Sequence, residues 1–171
     1  MDSVGADQQI RRAAEGALTG SSVVVDDVSV AKAGRRRVVR VTVARTLADL
    51  DGDDHTSAVP PLSLDEIAQA SQRVSGALDT SGALGASPHT LEVSSAGVGA
   101  PLRTPDAFRR NVGRLVELTE TGGEVHRDRL AWAGPEGVRL ADPSGELLAW
   151  EHIGRAVVHV EFNRTSTGGD S

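Results

Sequence analysis

His126 and Asp128 stand two apart on an alternating stretch, so on a strand they share one face, and an imidazole beside a carboxylate can begin a metal site. The sequence places no third ligand near them, so they read as a surface pair. Asp49-Leu50-Asp51-Gly52-Asp53-Asp54 resembles a calcium loop at first. Such a loop needs glycine at position six and glutamate at twelve, where this chain has Asp54 and Pro60, so the stretch reads as a solvated acidic loop. Gly97-Val98-Gly99 follows a strand, as a dinucleotide fingerprint does, but Leu102 holds the sixth position and Pro101 intervenes. Gly82-Ala83-Leu84-Gly85 has the form of a nucleotide-clamping GxxG, yet it leads into a strand without basic neighbours and fits a helix stop. His55, His89, His152 and His159 are scattered, and no serine sits in a nucleophile elbow. The expectation is a protein with no catalytic centre, no cofactor and no metal.

Positive charge is the remaining chemistry. Arg35, Arg36, Arg37 and Arg40 form one group, and Arg103, Arg109 and Arg110 a second. Guanidinium forks suit phosphate, although either group is also compatible with ordinary solvated surface. Lys32 is the only lysine, and the formal net charge is −6. A chain so acidic is repelled by bare phosphate backbone, so contact with RNA has to come through such local clusters.

The elements that carry these residues follow from periodicity. The chain has 171 residues, 39% hydrophobic but only 2% aromatic, so its core must be built from Val, Leu, Ile and Ala. A helix is predicted over 6–19, then strands over 22–31 and 36–45 joined by Lys32-Ala33-Gly34-Arg35. Val39, Val41 and Val43 face one side of the second strand, and Val38, Arg40 and Thr42 the other. After an acidic loop over 47–61, Ser63-Leu64-Asp65-Glu66 is a capping box with Leu62 and Ile67 as its hydrophobic staple, and that helix stops before Gly82. A third strand covers 89–94. Two helices can thus cover one face of a three-stranded sheet.

Beyond the small residues Ala96, Gly97, Val98, Gly99, Ala100 and Pro101, which read as an interdomain linker, Thr104-Pro105-Asp106 starts a short helix that Gly113 should end. Strands follow over 114–119, 125–133, 137–141, 147–150 and 156–162. Five short strands in so few residues predict a small closed barrel, since closure removes exposed edges. There is no cysteine, which fits a cytoplasmic location, and no apolar run long enough for a membrane span or export signal.

Leu91-Glu92-Val93-Ser94-Ser95-x-Gly97-x-x-x-Pro101-Leu102, followed by Phe108-x-Arg110-x-x-Gly113-x-x-Val116, resembles the signature of the bacterial ribosome maturation factor RimP family. The family linker usually reads Ser-Ser-Pro-Gly-Leu-Asp-Arg-Pro-Leu; here Ala96 replaces the proline, Gly99 the acid and Ala100 the arginine. The resemblance implies an α+β, two-domain fold: an N-terminal α+β layer over 1–95, a linker over 96–102, an SH3-like (Sm-like) β-barrel over 103–163 and a disordered tail over 164–171. It implies a non-catalytic, monomeric assembly factor that binds the immature small ribosomal subunit, its RNA and small-subunit ribosomal protein twelve. A protein-only module whose barrel docks a peptide, and a metal-dependent hydrolase built on His126 and Asp128, are the rival expectations.

Overall fold

A computed structural model describes residues 3–97 and 99–160. The chain divides into two compact units, one of Met1–Asp51 with Pro60–Ala96, the other of Gly52–Val59 with Gly97–Ser171.

In the first unit, helix α1 (Ser3–Leu18) leads into strands β1 (Val23–Ala33) and β2 (Arg36–Arg45), then helix α2 (Leu64–Ser81) and strand β3 (His89–Ser95). The sheet runs β1-β2-β3, and β3 lies parallel to β2 because α2 carries the chain back along the sheet. Each helix buries residues four apart, Ile10, Ala14 and Leu18 on α1 and Ala70, Val74 and Leu78 on α2, the spacing that keeps one helical face on the core. Val39, Val41 and Val43 pack against them fully buried, so the alternation legible in β2 is the one the fold uses. The hairpin is tighter than expected. Strand β1 continues until Ala33 pairs with Arg36, leaving only Gly34 and Arg35 to turn, with Gly34 at φ 65°.

The capping box at α2 forms in full. The Ser63 hydroxyl accepts from the Glu66 N–H at 3.1 Å, and Glu66 accepts from the Ser63 N–H at 2.7 Å. Arg45 reinforces it, donating to Glu66 at 2.8 Å and to the carbonyls of Pro60 and Pro61. Those bonds, the Ser63 N–H first and the Arg45 guanidinium next, hold the Glu66 carboxyl below its ordinary range.

The second unit comprises helix α3 (Pro105–Arg110), strands β4 (Leu115–Glu120), β5 (Val125–Gly134), β6 (Gly137–Leu140) and β7 (Leu147–Ala149), a 3-10 turn over Trp150–His152 and strand β8 (Ile153–Val158). The Thr104 hydroxyl caps α3 by accepting from Ala107 N–H at 3.1 Å. Helix α3 ends sooner than expected, because Asn111 turns its N–H back onto the Phe108 carbonyl before Gly113 is reached. The sheet order is β7-β6-β5-β4-β8, and among the described residues no ladder joins β7 to β8. Closure of the expected barrel is therefore not shown: β7 is short, and it is followed directly by the 3-10 turn. Curvature comes instead from irregular register at Leu130/Trp132 and Thr119/Glu120. At Gly137, a Cβ would run into the Leu148 carbonyl, so glycine there permits β6 and β7 to pair. The core gathers Phe108, Val116, Leu118, Leu130, Val138 and Leu140. The last strand ends at Val158, short of the predicted residue 162, and the residues beyond 160, with the tail over 164–171, lie outside the described residues.

Two stretches are more ordered than their composition suggests. The linker over 96–102 is structured in its second half: Pro101 bridges Val157 across an antiparallel pair, flanked by Leu102 N–H to Ala156 O at 2.8 Å and Gly99 N–H to Val158 O at 3.3 Å. Proline lacks the N–H a ladder uses, but on an edge it can occupy the place from which no N–H is required. Val98 lies outside the described residues. The acidic loop is likewise not simply solvated. Its segment Gly52–Val59 packs into the second unit, where Ala133 N–H donates to the His55 carbonyl at 3.1 Å and the His55 ring meets Trp132 edge-on at 5.3 Å.

Arg109 organises that segment and is only 7% exposed, so its place among the phosphate-binding candidates is corrected. Its guanidinium donates to the Asp54 carbonyl at 2.9 Å, the Ser57 carbonyl at 2.6 Å and the Asp54 carboxylate at 3.2 Å. Asp54 Oδ1 also accepts from the N–H groups of Thr56 and Ser57. Its carboxyl is lowered from 3.8 to about 2, first by the Ser57 hydroxyl, then by the Ser57 and Thr56 N–H groups, with Arg109 contributing less.

Three outcomes are expected. Ser63→Ala should cost about 1 kcal/mol of stability, read by chemical denaturation followed with circular dichroism. Replacing Gly52–Val59 with a tight turn should lower the melting temperature of the second unit by about 5 °C or more, because Arg109 stays buried without acceptors. Both tryptophans, Trp132 and Trp150, belong to that unit, so their fluorescence isolates its transition. Asp54 has a depressed folded value, so its contribution is complete above pH 3.8 and is lost as pH falls towards about 2. Asp54→Asn should therefore flatten the acid limb of the fluorescence transition relative to the parent.

Candidate nucleic-acid interface

The densest unneutralised positive charge sits where β1 and β2 turn. Arg35 lies in the turn, exposed, and Arg36 is the first residue of β2, also exposed. Strand alternation sends Arg36 and Arg40 to the sheet face opposite Val39, Val41 and Val43. Arg40 does not stand alone there, since it pairs with Glu92 of the adjacent strand at 2.8 Å, both side chains more than half exposed. Arg37 has the other parity and is half-buried at the end of the helix-bearing face.

The register adds two residues that the sequence reading did not include. Lys32 lies opposite Arg37 on β1, and His89 lies opposite Arg37 on β3. The three basic side chains form a row across adjacent strands, separated by about 4.8 Å each. With Arg35 and Arg36 they make a five-residue cluster, and among the described residues none of the five makes an ion pair. Lys32 and Arg37 set like charges directly opposite each other, which costs the sheet stability. Spacing along the chain gave no sign of it, because Lys32 and His89 are brought together only by pairing.

The second arginine group disperses. Arg109 is buried in the bonds described above, Arg103 is exposed ahead of α3, and Arg110, half-buried, has an interaction of its own. The expected His126 and Asp128 pair also separates: Asp128 accepts from the Arg129 N–H at 2.7 Å, while His126 Nε2 lies 2.6 Å from Glu120 Oε1. Glu120, Glu124 and His126 bring ligand atoms within 4.8 Å of one another; the imidazole–carboxylate bond accounts for the approach of Glu120 and His126, and Glu124 is exposed. Gly82 caps α2 at φ 67°, as a helix stop, and the Gly99 N–H is bonded to β8 and so is not presented to a phosphate. Among the described residues no helix is long and apolar enough to cross a membrane.

Comparison with known proteins bears on the whole chain. Residues 14–99 match the family model described as the RimP N-terminal domain. A protein of Kineococcus radiotolerans named "Ribosome maturation factor RimP" is 41% identical over 166 residues, covering 88% of this chain and 76% of the relative. Proteins of the same name from a Parafrankia species and from Frankia casuarinae are each 35% identical, over 95% and 85% of this chain. The chain spans 59% and 56% of those two longer relatives. A family model over 14–99 and relatives that align well past it into the second unit agree, and the chain belongs to the RimP family.

Proposed function

We propose that this protein is a ribosome maturation factor that acts without catalysis, binding the immature small subunit and contacting its RNA through the β1–β2 hairpin. The coarse role rests on family membership and on relatives named for it. The contact rests on one observation: the cross-strand row Lys32, Arg37 and His89, with Arg35 and Arg36 beside it, gathered on a chain whose net charge is −6. Phosphate contacts position such a protein without reading sequence, which suits a factor engaging folded RNA. The exposed Arg103 and the half-buried Arg110 are further candidates in this reading, and Arg40 contributes once its exposed pair with Glu92 opens. The second unit, with a 3-10 turn between its last two strands, is assigned an SH3-like architecture, and small-subunit ribosomal protein twelve is its partner. The protein acts as a cytoplasmic monomer of two domains, with 96–102 between them.

Arg35→Glu with Arg36→Glu changes exposed side chains only and should leave the circular dichroism spectrum unchanged. Losing two phosphate contacts should flatten the dependence of log K on log salt by a slope of about 1.5, measured by co-sedimentation with immature small subunits. Complete 70S ribosomes should retain neither protein. Equal slopes for parent and variant would reject RNA contact through the hairpin and favour a purely protein-docking role.

A further inference from the structure

The second unit carries a groove of about 670 Å³, lined in part by Arg103, to which no ligand has been assigned above. Its apolar wall comes from Leu102, Phe108, Trp150 and Ile153, and its lining includes two arginines, Arg103 and Arg155, but no carboxylate. In a protein with more acidic than basic residues, that is a local inversion of charge. Both arginines are exposed, and among the described residues neither makes an ion pair. The aromatic wall is fixed in place: Phe108 and Trp150 meet edge-to-face at 5.1 Å, and the Trp150 indole N–H donates to the Pro135 carbonyl at 3.1 Å. Leu102 is held by its backbone bond to β8.

We infer that this groove holds an unpaired nucleotide of single-stranded RNA. The base packs against Trp150, which the buried Phe108 braces edge-to-face from the core, and its flanking phosphates meet Arg103 and Arg155. Sequence-accessible RNA is recognised mainly at splayed-out bases on aromatic side chains, with arginines beside them for the backbone, and those are the two components assembled here. A basic peptide is disfavoured by the same arginines. The class of partner rests on the RNA reading proposed above, while the location rests on the groove alone.

The test uses the full chain with Trp132→Phe, which leaves Trp150 as the only tryptophan. Titration with a single-stranded RNA hexanucleotide should give saturable quenching of Trp150 fluorescence, and an RNA duplex should give little. Arg103→Ala with Arg155→Ala should weaken the hexanucleotide by at least about tenfold, with circular dichroism unchanged. No saturable quenching, an equal response to duplex, or quenching indifferent to Arg103→Ala with Arg155→Ala would each overturn the groove assignment. Saturable quenching by an acidic proline-flanked peptide but not by the hexanucleotide would overturn it in favour of a peptide site. Co-sedimentation of the same variants with immature subunits keeps the readings apart, since the hairpin's salt slope can survive while the groove assignment fails.

Discussion

A guanidinium cannot shed its charge, so an arginine taken out of water must be given acceptors or the fold around it fails. Arg109, 7% exposed, is that case, and the second unit is arranged around supplying it. Its acceptors all come from a segment more than fifty residues earlier, at Asp54 and Ser57. The acidic character of that segment thus has a structural use: Asp54 ties together its own turn and the buried cation. The far end of the same connection is held by another arginine, Arg45, on the carbonyls of Pro60 and Pro61. Arg129 and Arg139 likewise donate to the carbonyls of Gly113 and Gly145. With one lysine and no cysteine, this protein uses arginine forks to pin irregular backbone.

The two cores meet the shortage of aromatic residues in different ways. The first is aliphatic throughout, with helices offering Ile10, Leu18, Val74 and Leu78 to a floor of valines. β-branched side chains suit a pleated surface, so local preference and tertiary packing agree along β2. The second unit instead takes in both phenylalanine and tryptophan, with Phe108 in the core and Trp150 packed against it. Trp150 stands in a 3-10 turn, and its N–H reaches the Pro135 carbonyl, which lets a large side chain sit partly buried without an unpaired donor.

Local rules were enough for what local rules govern. The Ser63 and Glu66 capping box, the staple of Leu62 and Ile67, the alternation of Val39, Val41 and Val43, and the Thr104 cap were all legible because each involves residues within a turn or strand of one another. What failed to show depends on pairings distant in sequence. The row of Lys32, Arg37 and His89 exists only once β1, β2 and β3 adopt one particular register. The adjacent Arg109 and Arg110 looked equivalent, yet helical geometry turns one inward to distant carbonyls. Pro101 looked like a break because its missing N–H is visible in the sequence, whereas the edge position that makes the loss harmless is not. The open order β7-β6-β5-β4-β8 was hidden for a similar reason, since a 3-10 turn of three residues resembles the end of a strand.

The same distinction bears on how an acidic protein engages a polyanion. A uniformly spread positive surface would give tight, indiscriminate attachment, steeply dependent on salt. Here positive charge is concentrated at the hairpin and on the rim of an apolar groove, while most other basic residues answer carboxylates or carbonyls of the protein itself. Each concentrated site offers few contacts, so on the proposed reading each alone would bind a polyanion weakly. Two weak sites on one chain raise each other's effective concentration whenever both can be occupied together. On the reading proposed above, a particle that presents both contacts would hold the protein, and one that withdraws either contact would lose the gain. Net negative charge would sharpen that choice, because the acidic remainder of the chain is repelled by a phosphate backbone.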